Sequence, residues 1–251
     1  MSRHVKSIIK TTAFCLTDPG CVRSHNEDSC LINTQAGYFL VADGMGGAAA
    51  GEQASLLFKE TILELCTMIP EGSPAPSQDL VQRAFKTANT KILSHVEDIP
   101  AHSGMGCTAE LMAFHSTGFV LGHVGDSRSY CLSGGTLEQL TNDHTFVHDQ
   151  VQQGLLSREQ AKNHPMSNLI LRFVGNNEGI EVEIIHGTAL PGDIFLLCTD
   201  GLTDMVEDSQ IKEILAFQGP LALKATMLVD QANHNGGKDN ITVVLIEVQE
   251  S

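Results

Sequence analysis

The sequence predicts an α+β layered fold, and three observations carry that prediction. Short apolar, strand-like runs occupy most of the chain; two helical pairs interrupt them; and the helices do not alternate singly with strands as in a doubly wound parallel sheet. The first strand-like run is Thr12–Leu16, followed by Tyr38–Ala42. Helical spacing then extends from about Ala49 to Met68 and again from Gln78 to Val96, where Leu80, Val81, Phe85, Ala88 and Ile92 recur near a helical period. The proline-rich stretch Pro70–Ser77 separates these two helices as a loop, which suggests an antiparallel helical layer. Strand-like runs resume at Thr108–Phe114, Phe119–Val124, Ser129–Leu132, Glu181–His186 and Asp193–Cys198. A second helical pair covers Ser209–Phe217 and Leu221–Ala232, and the run Ile241–Val248 follows it. The polar stretch from His144 to Gly179 fits neither period and predicts a small helical flap, with Gly154 and Gly175 as hinge candidates.

Bulk composition narrows the function classes. A chain of 251 residues can build one large core, or two. Hydrophobic residues at 42% and charged residues at 18% exclude a disordered chain. No apolar run approaches the roughly 18 residues that would span a bilayer. The basic segment Met1–Lys10 is not followed by the apolar stretch of a secretory leader, so a cytoplasmic, membrane-free protein is expected. The net charge of −15 argues against nucleic acid and anionic membranes as partners. The seven cysteines are odd in number and form no CxxC pair, which predicts reduced thiols acting as small hydrophobes.

One arrangement recurs at strand ends. Tyr38–Ala42 runs into Asp43-Gly44, Phe119–Gly125 into Asp126-Ser127, and Ile194–Thr199 into Asp200-Gly201, while Asp239-Asn240 directly precedes Ile241–Ile246. Any one of these aspartates could simply make a turn. Four at the edges of strands, however, would converge if the strands share a sheet edge, and carboxylates so clustered repel one another unless cations neutralise them. Oxygen-only ligands select Mg²⁺ or Mn²⁺ over zinc, and glycine after Asp43 would let a backbone carbonyl approach an ion. Two ions close together can activate a water and clamp a phosphoryl oxygen. An acidic chain acting on an anionic phosphoester needs such positive charge. The sequence has no GxSxG elbow and no GxxxxGK[ST] loop, so neither a serine acyl-enzyme nor a nucleotide loop is indicated.

Taken in order, the motifs resemble those of the protein phosphatase 2C family, the metal-dependent phosphatases. They begin with Thr17–Asp28, containing Arg23-Ser24-His25-Asn26-Glu27-Asp28, and Val41-Ala42-Asp43-Gly44-Met45-Gly46-Gly47 continuing to Gly51–Ser55. Gly104–Thr108, Gly122–Arg128, Thr141–His144, Thr199-Asp200-Gly201 and Lys238-Asp239-Asn240 follow in the family's order, covering about residues 12 to 248. The resemblance implies a four-layer αββα sandwich, a central antiparallel β-sandwich flanked by helical pairs, as one catalytic domain over 1–251 with a flap at about 144–179. It implies two or three Mn²⁺ or Mg²⁺ ions, with Asp43 bridging two of them, the Gly44 carbonyl on one, and Asp200 and Asp239 on the other. Glu27 and Asp28 match the family's supporting acidic pair, Asp126 matches a ligand shared with Asp200 at a third ion, and Arg23 matches the phosphate-binding arginine.

The activity so implied is hydrolysis of phosphoserine and phosphothreonine in proteins by in-line attack of a metal-activated water. A bacterial Ser/Thr kinase would be the opposing partner. Two alternatives stand beside it: a catalytically idle regulatory module of the same fold, and a hydrolase of small phosphoesters. The chain departs from the family where other members carry a histidine, having Met45 and Ala48 there. The acid for the leaving group is left to a metal-bound water or to a flap histidine, His144 or His148.

Overall fold

The computed structural model describes residues 8–46, 50–67, 78–162 and 164–250. The predicted connector Pro70–Ser77, Ala48, and the expected helix ends at Ala49 and Met68 lie outside them. The chain enters through β1 (Thr11–Asp18), β2 (Ser29–Asn33), β3 (Tyr38–Ala42) and the two-residue β4 (Gly44–Met45). Helices α1 (Ala50–Thr67) and α2 (Gln78–Asp98) follow, then β5 (Gly106–Cys107), β6 (Ala109–Phe114), β7 (Gly118–Val124), β8 (Arg128–Ser133) and β9 (Thr136–Gln139). The flap region holds the short helices α3 (Phe146–Gln152) and α4 (Arg158–Lys162). Beyond it come β10 (Glu183–Thr188), β11 (Ile194–Cys198), α5 (Asp200–Thr203), α6 (Asp208–Ala216), α7 (Leu221–His234) and β12 (Ile241–Val248).

Two antiparallel five-stranded sheets, ordered β1-β12-β11-β8-β9 and β10-β7-β6-β3-β2, pack face to face. Residue alternation within single strands explains the four layers. On β12, Ile241, Val243 and Leu245 turn outward to the α6/α7 layer, while Val244, Ile246 and Val248 turn inward between the sheets. On β3, Tyr38, Leu40 and Ala42 face α1 and α2, and Phe39 and Val41 face the opposite sheet. Strands covered on both faces read as unbroken apolar runs rather than alternating ones, which is why these two were the plainest strands in the sequence. Between the sheets, Phe114 meets Phe39 and Phe195 edge to face, with ring centroids 5.6 and 5.4 Å apart.

The expected α+β sandwich is therefore what the chain forms, with local differences. Strands β4, β5 and β9 carry too few apolar residues to stand out, β2 is only five residues long and half-buried, and β10 begins at Glu183 rather than Glu181. The expected strand Thr108–Phe114 starts one residue later, at Ala109, because Thr108 is the turn from β5, paired with β4, into β6 on the main sheet. An isolated bridge from Cys107 to Val174 ties the flap to the body, and one from Thr145 to Ile170 closes the flap on itself.

One polar group crosses the inter-sheet layer. Glu110 on β6 and His123 on β7 stand opposite each other in register, both fully buried and hydrogen-bonded. Ser129 Oγ, from the facing sheet, donates to Glu110 Oε2 at 2.6 Å, and His123 Nε2 donates to the Asn142 carbonyl at 2.8 Å. Burial opposes charge on His123, but the Glu110 carboxylate and the Asn142 carbonyl together push it up to about 9. A paired buried ion of this kind fixes the relative position of two strands and the loop that follows them.

Candidate metal-binding active site

The site lies at one end of the sandwich, where strands of both sheets stop. A cleft of about 400 Å³ opens there. Its walls come from the β1–β2 loop (Arg23, Ser24, His25, Glu27), the end of β3 with β4 (Asp43 to Gly46), the flap (Asn168, Ile170), α5 (Asp200), and the entry to β12 (Asp239, Asn240).

Local hydrogen bonds explain how these separate segments are held together. Asn240 is buried, and its side chain pins the β1–β2 loop: Oδ1 accepts from the Glu27 N–H at 2.8 Å, and Nδ2 donates to the carbonyls of Pro19 at 3.0 Å and His25 at 2.8 Å. Ser55 Oγ on α1 donates to the Glu27 carbonyl at 2.6 Å, and Thr108 N–H donates to the Asp43 carbonyl at 2.9 Å. Gly44 is required by packing as well as by any ion, since a Cβ there would lie 2.1 Å from the Gly51 carbonyl oxygen and 2.6 Å from that of Glu27. Helix α1 thus approaches β4 backbone to backbone.

The predicted acids do converge. Asp43 is surrounded by Asp28, Asp200 and Asp126, and burial together with these three neighbours pushes its carboxyl well above the usual range. Burial likewise pushes Asp28 up to about 7, with the neighbouring Asp200 and Asp239 adding to it and two threonine hydroxyls opposing. Asp200 is raised to about 6, by burial and then by Asp204 and Asp239. Asp126 stands behind Asp200 rather than on the cleft wall and is also raised strongly, by burial and then by Asp200, Asp143 and Asp204. Glu27, at the rim, is raised by burial.

Among the described residues, four buried side-chain oxygens have no hydrogen-bond partner, and three belong to this cluster: Asp28 Oδ1, Asp126 Oδ1 and Asp200 Oδ1. Buried polar atoms are ordinarily satisfied, and unpaired ones cost free energy. Hard divalent cations fit this donor set, because they take carboxylate oxygens and cancel the mutual repulsion. Arg23 is the guanidinium at the cleft; its Nη2 donates to Asp239 Oδ2 at 2.7 Å, with both side chains substantially exposed.

Three residues of the site carry no role in the sequence reading. Asp204 joins the acids behind the cleft, and its signal was the Asp200-x-x-x-Asp204 spacing that stacks two side chains on one helical turn. Asn240 was part of a motif but had no assigned task. His25 is the histidine that lines the cleft, for which no pattern gives a signal. The flap histidines considered for proton donation do not line it. His144 accepts from the Gly125 N–H at 3.2 Å through Nδ1 and bonds Glu183 through Nε2 at 3.2 Å; burial and the charge of His123 lower it to about 3. His148 bonds Gln152 along α3 at 2.9 Å.

An antiparallel sandwich with carboxylates clustered where both sheets end defines a class of protein whose site has a donor set suited to hard divalent cations. Comparison with known proteins resolves the class. The family model for protein phosphatase 2C matches residues 22–234. A serine/threonine phosphatase stp of Listeria monocytogenes serotype 4b is 36% identical over 238 residues, covering 92% of this chain and 93% of its own. The serine/threonine protein phosphatase PstP of Mycobacterium tuberculosis is 40% identical over 232 residues, 92% of this chain but 44% of that longer protein. Among solved structures, the PstP catalytic domain in complex with two manganese ions superposes with a TM-score of 0.87 at 35% identity, covering 97% of this chain and 100% of that one. The chain belongs to the protein phosphatase 2C family.

Proposed function

We propose that this protein is a divalent-cation-dependent phosphatase acting on phosphoserine and phosphothreonine in proteins. Asp43, Gly44, Asp200 and Asp239 would hold two ions, Mn²⁺ or Mg²⁺, with Glu27 and Asp28 supporting them and Asp126 serving a third ion beside Asp200. The observation that carries this reading is the trio of buried, unpartnered carboxylate oxygens in one acid cluster at the cleft. The names of the mycobacterial and listerial relatives, and the manganese in the PstP structure, support it further.

Bound cations would supply Lewis-acid charge for the phosphoryl oxygens and acidify water in the cleft. The chain's own residues do the rest. Arg23 offers a planar fork of donors matched to two phosphoryl oxygens, and Asp239 holds that fork at the cleft until a phosphate competes for it. Asn240, Ser55 and Thr108 keep Glu27 and Asp43 at fixed positions, so little reorganisation accompanies the developing charge. No cysteine lines the cleft among the described residues, which suits direct attack by water. A polypeptide substrate suits the surroundings better than a small ester, because exposed apolar side chains flank the wall residues: Val22 beside Arg23, and Leu169 and Leu171 beside Ile170.

We read the described residues as one catalytic unit with 144–179 as a flap over the site. A phosphatase of this specificity needs a Ser/Thr kinase to generate its substrates, so we place it opposite one. No helix among the described residues is long and apolar enough to cross a membrane. All seven cysteines are free, which suits a reducing compartment, and we place the protein in the cytoplasm. The test is substrate choice at saturating Mn²⁺. Phosphothreonine and phosphoserine peptides should be hydrolysed with higher kcat/KM than a phosphotyrosine peptide or a small aryl phosphate. Preference for the aryl phosphate over every peptide would move the reading to a small-ester hydrolase.

A further inference from the structure

We propose that Asn89 is a positioning residue for peptide substrates, the anchor that fixes the C-terminal root of the flap beside the cleft. The inference rests on the reading of 144–179 as a flap over a phosphoprotein site. Asn89 sits on α2 and is buried, although the helix's other buried residues, Val81, Ala84, Phe85, Ala88 and Ile92, are all apolar. A polar group on such a face needs partners, and it finds them in the flap. Its Oδ1 accepts from the N–H groups of Gly175 at 2.6 Å and Asn176 at 3.1 Å, and its Nδ2 donates to the Asn176 carbonyl at 3.3 Å. One side-chain amide therefore satisfies three backbone groups on two consecutive residues.

The root held in this way is continuous with the cleft wall. Val174 is fully buried in the core beneath α1 and α2, and it exchanges two backbone hydrogen bonds with Cys107, at 2.9 and 2.8 Å. Cys107 in turn lies opposite Gly44, which lines the cleft. Gly175 has φ +109°, a region that favours glycine, and a Cβ there would lie 2.8 Å from the Met105 carbonyl oxygen. A pivot at Gly175 would break its bond to Asn89. A few residues upstream, Asn168 and Ile170 form the flap's part of the wall.

Small and large substrates should feel this anchor differently. A small aryl phosphate would be held through its phosphoryl group alone, by Arg23 and the cations. A phosphopeptide extends beyond its phosphate and lies against the flap, so its binding depends on where the flap stands. Asn89→Ala leaves the Gly175 and Asn176 N–H groups without their acceptor, and the root must open to water to satisfy them. Asn89→Asp keeps an oxygen for both N–H donors and gives up only the longest of the three bonds. With that variant the root, and Ile170 with it, should stay in place.

The test pairs steady-state kinetics in Mn²⁺ with hydrogen exchange of the metal-free protein. Asn89→Ala should raise KM for a phosphothreonine peptide ~10-fold, leaving kcat and both constants for the aryl phosphate within ~2-fold of wild type. Asn89→Asp should bring the peptide KM back to within ~3-fold of wild type. In EDTA, the Gly175 and Asn176 amides of the Ala variant should exchange at least ~10-fold faster than those of wild type, and the 168–171 segment should quicken with them. An unchanged peptide KM, an equal loss on peptide and ester, or exchange at 168–171 that ignores the substitution overturns the proposal. Should Asn89→Ala fail to fold, Gly175→Ala pushes the same root off Met105 and must give the same split between peptide and ester; equal loss on both overturns the proposal. Wild type that hydrolyses neither substrate sinks the phosphatase reading instead, and the exchange pattern then decides whether Asn89 anchors the flap.

Discussion

Replacing Asp28 by Asn removes one charge from the crowded acid cluster while keeping the side chain's shape. Its Oδ2 accepts from Thr199 Oγ1 at 2.9 Å, a bond an amide oxygen can keep, and its Oδ1 is buried without a partner. The carboxyl, pushed up to about 7 chiefly by burial, sits roughly 3 pH units above an ordinary aspartate. At ~1.36 kcal/mol per unit, that is about 4 kcal/mol for ionising it inside the fold. Asp28 shares its protons with Asp43 and Asp200 in the same cluster, and taking half of that figure as its own part gives about 2 kcal/mol.

The folded-state value lies above the unfolded one. The cost is therefore absent below ~3.9, grows as pH rises, and is complete above about 7. Metal-free Asp28→Asn should then be more stable than wild type at about pH 8 by ~2 kcal/mol, or ~4–8 °C in Tm, and equal to it at about pH 4. Excess Mn²⁺ should reverse the order. A cation at a hundredfold excess over its Kd adds ~2.7 kcal/mol to a protein that binds it, and the variant has lost a carboxylate from the binding cluster. Thermal melts in EDTA and in Mn²⁺ at both pH values supply the measurement. If Asn lowers Tm equally in all four conditions, Asp28 is a turn-forming acid and the argument from repulsion fails.

Three further perturbations separate the parts of the site. Arg23→Ala should raise KM for a phosphothreonine peptide by ~10–100-fold, the worth of a charge-assisted bidentate contact; unchanged KM and kcat would remove Arg23 from the site. His123→Ala leaves Glu110 buried beside Ser129 with its cation gone, which should cost ~3–5 kcal/mol in denaturant melts, and a change within error would show that the pair does not tie the sheets. Gly44→Ala forces the Gly51 and Glu27 backbones apart, costing ~1–3 kcal/mol and weakening Mn²⁺ binding in calorimetry; wild-type affinity would show that the close approach of α1 is unrelated to the site.

How much of this was legible depends on what each residue's job leaves in the local pattern. β11 and β12 announce themselves because burial on both faces demands an uninterrupted apolar run. β2, half-buried throughout, and β9, largely exposed, leave no such trace. The clustered acids are visible in the sequence because a carboxylate at the end of an apolar strand is an abrupt change of chemistry, repeated for Asp43, Asp126, Asp200 and Asp239. Asn240 was harder to read: its task is to bridge Glu27, Pro19 and His25, contacts more than two hundred residues away in sequence that only the fold brings together. His25 likewise becomes a cleft residue through the path of the β1–β2 loop, and His144 ceases to be a candidate acid once Gly125 and Glu183 occupy both its nitrogens. Local chemistry can be read along a chain; convergence between distant segments requires the topology.

The most direct measurement is the dependence of phosphate release on Mn²⁺ with a phosphothreonine peptide, for wild type, Asp43→Asn and Asp239→Asn. Wild type should turn over in proportion to bound metal and stop in EDTA, while each Asn variant should lose at least ~100-fold in kcat/KM, about 2.7 kcal/mol of transition-state stabilisation. Turnover by wild type that ignores Mn²⁺, or none at any concentration, would contradict a cation-dependent phosphatase built on the acids at the sandwich's end.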